Sequence, residues 1–155
     1  MKKVEKGKVL AVNISEAKGT KKKHIRTCSV LKGLGLEGDA HAGPWHRQVS
    51  LLANESIQKM KDLGINVGFG DFAENITTKG LNLIQLPIGA EICIGDSVML
   101  KVTQIGKVCH ERCAIYYQAG DCIMPREGIF AEVIRGGEIE VGNDISIDQS
   151  PLPPA

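Results

Sequence analysis

Two cysteines four residues apart, Cys109 and Cys113, stand in the run Gly106-Lys107-Val108-Cys109-His110-Glu111-Arg112-Cys113, among a lysine, a histidine and an arginine. A free thiol with a pKa near 8.5 is only about 3% thiolate at neutral pH, whereas nearby positive charge that lowers the pKa to roughly 7 makes it about half thiolate. The run therefore suits a nucleophilic or metal-ligating sulfur. Zinc is the first metal such residues suggest, with Cys122, His110 and His41 as further donors. The spacing argues against it, because a ribbon-type site draws on two close ligand pairs and Cys122 stands alone. Haem attachment is also disfavoured, since His110 precedes Cys113 instead of following it. Cys28 and Cys93 fit plain burial, as cysteine is among the most buried residue types.

Two polar constellations accompany the thiols. In Gly38-Asp39-Ala40-His41-Ala42-Gly43, followed by His46, Arg47 and Gln48, the glycines permit turns while Asp39, His41 and Arg47 can converge on a polar ligand. The competing role for Asp39 is to stabilise its own turn. In Gly70-Asp71-Phe72-Ala73-Glu74-Asn75-Ile76-Thr77-Thr78, the side chains of Glu74, Asn75 and Thr77 can bond the edge of a heterocycle or the backbone of a neighbouring loop. The residues alone leave both open. The basic run Lys18, Lys21, Lys22, Lys23, His24 and Arg26 resembles a phosphate-attracting patch but reads first as a solvated loop; if it acts, it attracts an anionic ligand, since without interleaved aromatics it is unsuited to stacking nucleic-acid bases.

These residues need a scaffold, and the chain spells a mainly β one. Its 18 glycines fall between short valine- and isoleucine-rich runs. Strands are expected at Lys8 to Ile14, Gln48 to Leu52, Glu91 to Ile94 and Ser97 to Ile105, with Gly95-Asp96 as a tight hairpin turn. In the last strand Val98, Leu100 and Val102 share one face, opposite Lys101 and Thr103. A helix is expected from an Asn54 cap through Asp62, with Ile57 and Met60 on one face and Gly64 past its end. A second helix is expected from Pro125, with Ile129, Phe130, Val133 and Ile134 as its apolar face and Gly136-Gly137 as its stop.

A chain of 155 residues fits a single domain, here residues 1–149, able to bury roughly two-thirds of its unfolded surface without disulfides or a structural metal. The tail 150–155 has no helix or strand pattern and is expected to fray. Net charge is +1, charged residues are 24% and apolar residues 43%, an ordinary globular composition that points to neither nucleic acid nor membrane. No secretory leader or membrane-span pattern is found, so a cytoplasmic location is expected. The odd count of five cysteines then argues against a disulfide framework.

Taken in order, Gly38 to Gly43, Arg47-Gln48-Val49-Ser50-Leu51-Leu52, Phe72 to Thr77, Leu86-Pro87-Ile88-Gly89 and Gly106 to Cys113 resemble a stand-alone MOSC domain, the family named for the C-terminal domain of molybdenum cofactor sulfurases. The resemblance runs from about Gly7 to Ile147. It implies a closed, barrel-like sheet with a few peripheral helices. It also implies a molybdenum-pterin cofactor (molybdopterin) and a reactive cysteine that ligates the metal or carries sulfur, here Cys109 or Cys113. Arg47, His41, Asp39, Lys107, His110 and Arg112 would then be cofactor or substrate contacts, with Asn75 and Thr77 on the polar edge. The implied chemistry is that of a molybdenum-dependent oxidoreductase acting on N-hydroxylated compounds, or of a sulfurtransferase. The alternatives are a metal-free persulfide carrier and a non-enzymatic module that stores or hands over the cofactor. Implied partners are a cofactor-biosynthesis or desulfurase protein and a reductase as electron donor. Cys122 stands as a resolving thiol or a local peculiarity.

Overall fold

The alternation of Val98, Leu100 and Val102 with Met99, Lys101 and Thr103 sets the pattern of the sheet. In the computed structural model, which describes residues 4–17, 21–106 and 127–148, the first three are buried and the others are partly or fully exposed. They belong to β8 (Val98–Ile105), joined to β7 (Glu91–Ile94) through a hairpin in which Gly95 takes φ 60°. That left-handed conformation favours glycine. The other strands are β1 (Val4–Ile14), β2 (Lys23–Ile25), β3 (Thr27–Leu31), β4 (Gly35–Leu36), β5 (Val49–Ala53), β6 (Ile76–Lys79), β9 (Ile129–Arg135), β10 (Gly137–Glu140) and β11 (Asp144–Asp148).

Seven of these strands close on themselves in the order β1, β11, β7, β8, β9, β5, β6, because β1 pairs with both β11 and β6. Closure removes the sheet edges that would otherwise present unpaired N–H and C=O groups. Val12, Leu51, Ile76, Ile92, Ile94, Leu100, Ile129 and Ile145 fill the interior, all at most 1% exposed. The short strand β2 continues the sheet beyond β1, and β10, β3 and β4 form a separate three-stranded sheet. The expected closed β-barrel is therefore present. Among the described residues no helix is long and apolar enough to cross a membrane.

Among the described residues only β5 and β6 pair in parallel, and α1 (Asn54–Asp62) lies in the connection between them, as a parallel pair needs a crossover. This explains why every residue of β5 is buried. Val49, Leu51 and Ala53 face the barrel core, while Leu52 faces a second cluster with Ile57, Met60, Val67, Phe72 and Phe130. Residue Ala53, not Asn54, occupies the helix cap, without a side-chain bond to the helix. The other end follows expectation: Gly64 takes φ 87°, its N–H meets the Lys61 carbonyl at 2.9 Å, and the Ile65 N–H meets that of Met60 at 3.2 Å. This double bond pattern stops the helix with a left-handed glycine.

The expected second helix is not formed where it can be followed. Residues Ile129–Arg135 are β9, hydrogen-bonded to β8 on one side and β5 on the other. Ile129, Ala131 and Val133 point into the barrel and Phe130 into the second cluster, so one strand is apolar on both faces. The register shift opposite Met99 and Leu100 then leaves Ile134 as an extra residue, which breaks the period-two signal. A bulged strand with Phe130 buried on its outer face and an exposed Ile134 presents the apolar spacing of a helix. Burial likewise divides the two structural cysteines: Cys28 is buried as expected, whereas Cys93 faces outward from β7 and is only half-buried.

Candidate functional site

The basic run ahead of β2 contains one lysine unlike its neighbours. Lys21 and Lys23 are exposed, but the Lys22 side chain is fully buried, contrary to a wholly solvated run. Its ammonium donates to Asp39 Oδ1 at 2.7 Å and to Ser15 Oγ at 3.1 Å, and lies 3.0 Å from His41 Nδ1. Asp39 also accepts the Ser15 N–H on Oδ1 and the His41 N–H on Oδ2, each at 3.1 Å. Burial alone would raise the Asp39 carboxyl. The hydrogen bond and charge of Lys22, aided by the Ser15 N–H, outweigh it and hold Asp39 below the ordinary carboxylate range. Asp39 thus stabilises its own turn and also pairs with a residue that sequence gave no reason to place beside it.

Backbone geometry fixes the lysine. The Lys22 N–H donates to the Gly70 carbonyl at 2.9 Å, and Gly70 takes φ 81°. A Cβ on Gly70 would run into the Lys22 carbonyl oxygen. Gly70→Ala should therefore destabilise the protein by at least about 1–3 kcal/mol, the usual cost of a strained backbone position. Urea unfolding checks this, and a loss confined to a few tenths would show that the turn relaxes freely.

The Gly70 turn is itself held by the fully buried Glu74. Its carboxylate accepts from Gly70 N at 3.1 Å, Phe72 N at 3.3 Å and Thr77 Oγ1 at 2.7 Å. Burial is the largest influence on Glu74 and raises its pKa, although all three donors act in the other direction. Asn75 accepts Ser50 N at 2.9 Å through Oδ1 and donates to the Asn13 carbonyl at 3.2 Å, while Thr77 receives the Asn13 amide at 3.2 Å. Asn75 and Thr77 are both 0% exposed. Their side chains thus bond strands β1 and β5, which is neither the heterocycle edge nor the neighbouring loop backbone expected of them.

Arg47 lies elsewhere, just before β5. Its Nε donates to Gln104 Oε1 at 3.1 Å and its guanidinium sits 5.2 Å from the Phe130 ring centroid, a cation–π arrangement. Among the described residues its Nη groups have no hydrogen-bond partner. Gln104 donates in turn to the Gly106 carbonyl at 2.7 Å, and the Gly106 N–H meets the Gly128 carbonyl at 2.7 Å. Gly106 and Gly128 flank the run 107–126, so Arg47 is anchored where the cysteine-bearing segment leaves and rejoins the barrel.

Lys107, Cys109, His110, Arg112, Cys113 and Cys122 lie outside the described residues. The loop from Gly38 to Arg47 links the two clusters. At one end it carries Asp39 and His41; at the other, the His46 carbonyl accepts the Thr103 hydroxyl beside Gln104. Trp45, the single tryptophan, stacks on His41 at 6.4 Å with ring planes 2° apart, and its Nε1–H donates to the His41 carbonyl at 2.7 Å. Nothing in the spacing singled out Trp45, Ser15 or Gln104. The uniqueness of Trp45 within a glycine-rich loop was the one available signal.

The MOSC domain pattern matches residues 38–146, most of the chain. The chain belongs to the MOSC domain family. This is a family associated with binding of the molybdenum cofactor. The match takes in the Gly38 to Arg47 loop, the Glu74 to Thr77 segment and the whole Cys109 to Cys113 run. Among solved structures the chain is similar to the YuaD protein of Bacillus subtilis, at 18% identity and a TM-score of 0.76, over 97% of this chain and 100% of that one. It is also similar to YiiM of Geobacillus stearothermophilus, at 18% identity and a TM-score of 0.68, over 91% of this chain and 74% of the other. For YiiM of Escherichia coli the values are 17%, 0.64, 96% and 72%. At such identities the likeness is one of fold. No match is found among curated proteins.

The MOSC residues described here fit one part of that cofactor. Arg47 offers an anchored, half-buried cation with donors to spare, chemistry suited to a phosphate. No cluster of three metal-ligating side chains occurs among the described residues. Cys28 is a poor substitute for a ligand thiolate, since burial raises its pKa and its Sγ lies within donating distance of the Ser29 and Glu37 carbonyls. The cavity of about 410 Å³ beside α1 also differs in character, because Lys59 in its lining is already paired with Glu127 and the further charges there are the carboxylates of Glu5 and Glu55.

Proposed function

We propose that this MOSC chain binds a molybdenum-pterin cofactor, or its precursor, with a thiolate of Cys109 or Cys113 as the metal ligand and Arg47 as the contact for the phosphate. The observation that carries this reading is the anchored Arg47 at the base of the cysteine-bearing run, within a family match that spans both. Lys107, His110 and Arg112 add positive charge around the thiols, which favours the thiolate. His41, set in its loop by Asp39 and Trp45, is a further polar contact. Asn75 and Thr77 act indirectly, by fixing the strands on which the loops rest.

A dithiolene-bound metal, when present, would supply the electrons for reducing an N–O bond of an N-hydroxylated compound. The chain's own contribution is to offer a sulfur donor, to hold the anionic end with Arg47 and to keep that arginine over the Phe130 ring. A reductase would act as electron donor, and a cofactor-biosynthesis or desulfurase protein as supplier.

Arg47→Met should keep the fold and lower the pterin released by acid from protein made in a cofactor-replete host by roughly tenfold or more, the loss expected for a charge-assisted hydrogen bond of about 1.5–3 kcal/mol. Equal pterin in parent and variant would remove Arg47 from the reading. A parent without pterin, carrying instead a reducible adduct of about 32 Da, one sulfur atom, would make the chain a persulfide carrier.

A further inference from the structure

Successive residues of a strand face opposite sides of the sheet, yet Thr103 and Gln104 reach the same loop. The Thr103 hydroxyl donates to the His46 carbonyl, and Gln104 Oε1 accepts the Nε–H of Arg47, the next residue, at 3.1 Å. A register shift between Val102 and Gln104 permits this. It leaves Thr103 as the extra residue of β8, and a bulge of this kind re-aims side chains. The shift also sets Gln104 opposite Phe130 of β9, whose ring centroid lies 5.2 Å from the Arg47 guanidinium carbon. Only one orientation is open to the Gln104 amide. The Gly106 carbonyl, 2.7 Å away, can only accept, so Nε2 faces it, and Oε1 is left for the arginine, which can only donate.

We propose that Gln104 is a positioning residue for Arg47, which turns the guanidinium end-on to a phosphate-type oxyanion and leaves its charge unneutralised. An arginine can offer an anion either its Nε edge or its two Nη groups. Gln104 occupies the Nε–H, so recognition falls to the Nη groups. A carboxylate at position 104 would orient the arginine equally well, but it would neutralise the cation and would face the Gly106 carbonyl with no proton to give. An amide meets both neighbours without charge. Gly106 stands where the run 107–126 leaves the barrel, with its N–H on the Gly128 carbonyl at 2.7 Å, so the same side chain ties Arg47 to the base of the cysteine-bearing run. That the anion is a phosphate of the cofactor rests on the reading above; the hold of Gln104 on Arg47 is read from the arginine itself.

The test is nitrogen-15 NMR of the arginine side chains in the purified full chain without cofactor, with Arg47 assigned by Arg47→Met and inorganic phosphate as the probe. In the parent the Arg47 Nε–H should exchange with water more slowly than that of Arg26, which is 84% exposed, and phosphate should shift the Arg47 Nη signals while the Nε–H stays protected. Gln104→Met should lose that protection and bind phosphate roughly 2–10-fold more weakly, the net worth of one hydrogen bond. Gln104→Glu should keep the Nε–H protected yet bind phosphate more weakly still, because its carboxylate neutralises the arginine. A side chain that merely supported the strand would not give this split. A parent Arg47 Nε–H that exchanges as fast as that of Arg26 overturns the proposal whether or not the variants fold. So does Gln104→Glu binding phosphate as tightly as the parent. Phosphate acting on Arg47 with equal affinity in parent and both variants overturns the part of Gln104 alone, whereas phosphate without effect on Arg47 in the parent removes the anion contact of the cofactor reading and the proposal with it.

Discussion

Asp39→Ala should cost about 3–5 kcal/mol of stability, the penalty for removing one partner of a buried ion pair. Lys22 and Asp39 are both 0% exposed at the side chain, so the abandoned ammonium cannot turn to water without unfolding its surroundings. Against a typical total of about 5–15 kcal/mol, that loss is enough to leave the protein marginal. Lys22→Met/Asp39→Asn should recover most of it, because no charge is then left unpaired. Urea unfolding of the three proteins checks this, and a loss below about 1 kcal/mol for Asp39→Ala, the size expected of a surface pair, would refute the role given to this pair. The sign with pH follows from the depressed Asp39 carboxyl. Its contribution is complete above the ordinary aspartate pKa of about 3.9 and is lost as pH falls through the lower folded value. Glu74 works in the opposite direction. Its raised carboxyl makes the folded state take up protons first, so stability falls as pH rises past the ordinary glutamate value of about 4.3 toward the folded one. Asp39→Asn should therefore remove the decline on the acid side, whereas Glu74→Gln should remove the decline on the upper side of that window.

The larger effect is expected at the thiols. Either Cys109→Ala or Cys113→Ala should lower retained molybdenum by more than roughly 100-fold, since loss even of an outer-shell partner commonly costs about 10–100-fold in metal affinity. The other variant should keep most of it. A metal-binding thiol must be deprotonated, so loading of the parent and of the variant that keeps molybdenum should fall on acidification. Two variants with equal, partial losses would mean that the sulfurs share the role, and two variants with no loss would move the ligand elsewhere.

Much of the scaffold was legible in the sequence because local signals agreed with tertiary ones. In β8, Val98, Leu100 and Val102 alternate with exposed residues, and in α1 the Ile57 and Met60 face ends at a left-handed Gly64. β9 was misread because the outward-facing but buried Phe130 and a bulge at Ile134 removed the alternation that marks a strand. Lys22 was hidden for a different reason. It stands between Lys21 and Lys23, and only the turn at Gly70, distant in sequence, draws its backbone against the barrel and its ammonium onto Asp39. Asn75 and Thr77 were recognisable as hydrogen-bonding residues, but whether they face a ligand or a neighbouring strand depends on the pairing of β6 with both β1 and β5, long-range contacts that no local pattern encodes. The chemistry-bearing run from Lys107 to Cys113 was legible as residue types, and the structure adds the anchored Arg47 at its base.

The most direct test of the central claim is the molybdenum content per chain of the parent, Cys109→Ala and Cys113→Ala, each purified from a cofactor-replete host that loads a control molybdenum protein. The cofactor reading predicts stoichiometric molybdenum in the parent and its loss in one of the two variants. Molybdenum absent from the parent, or equal in all three proteins, would contradict it.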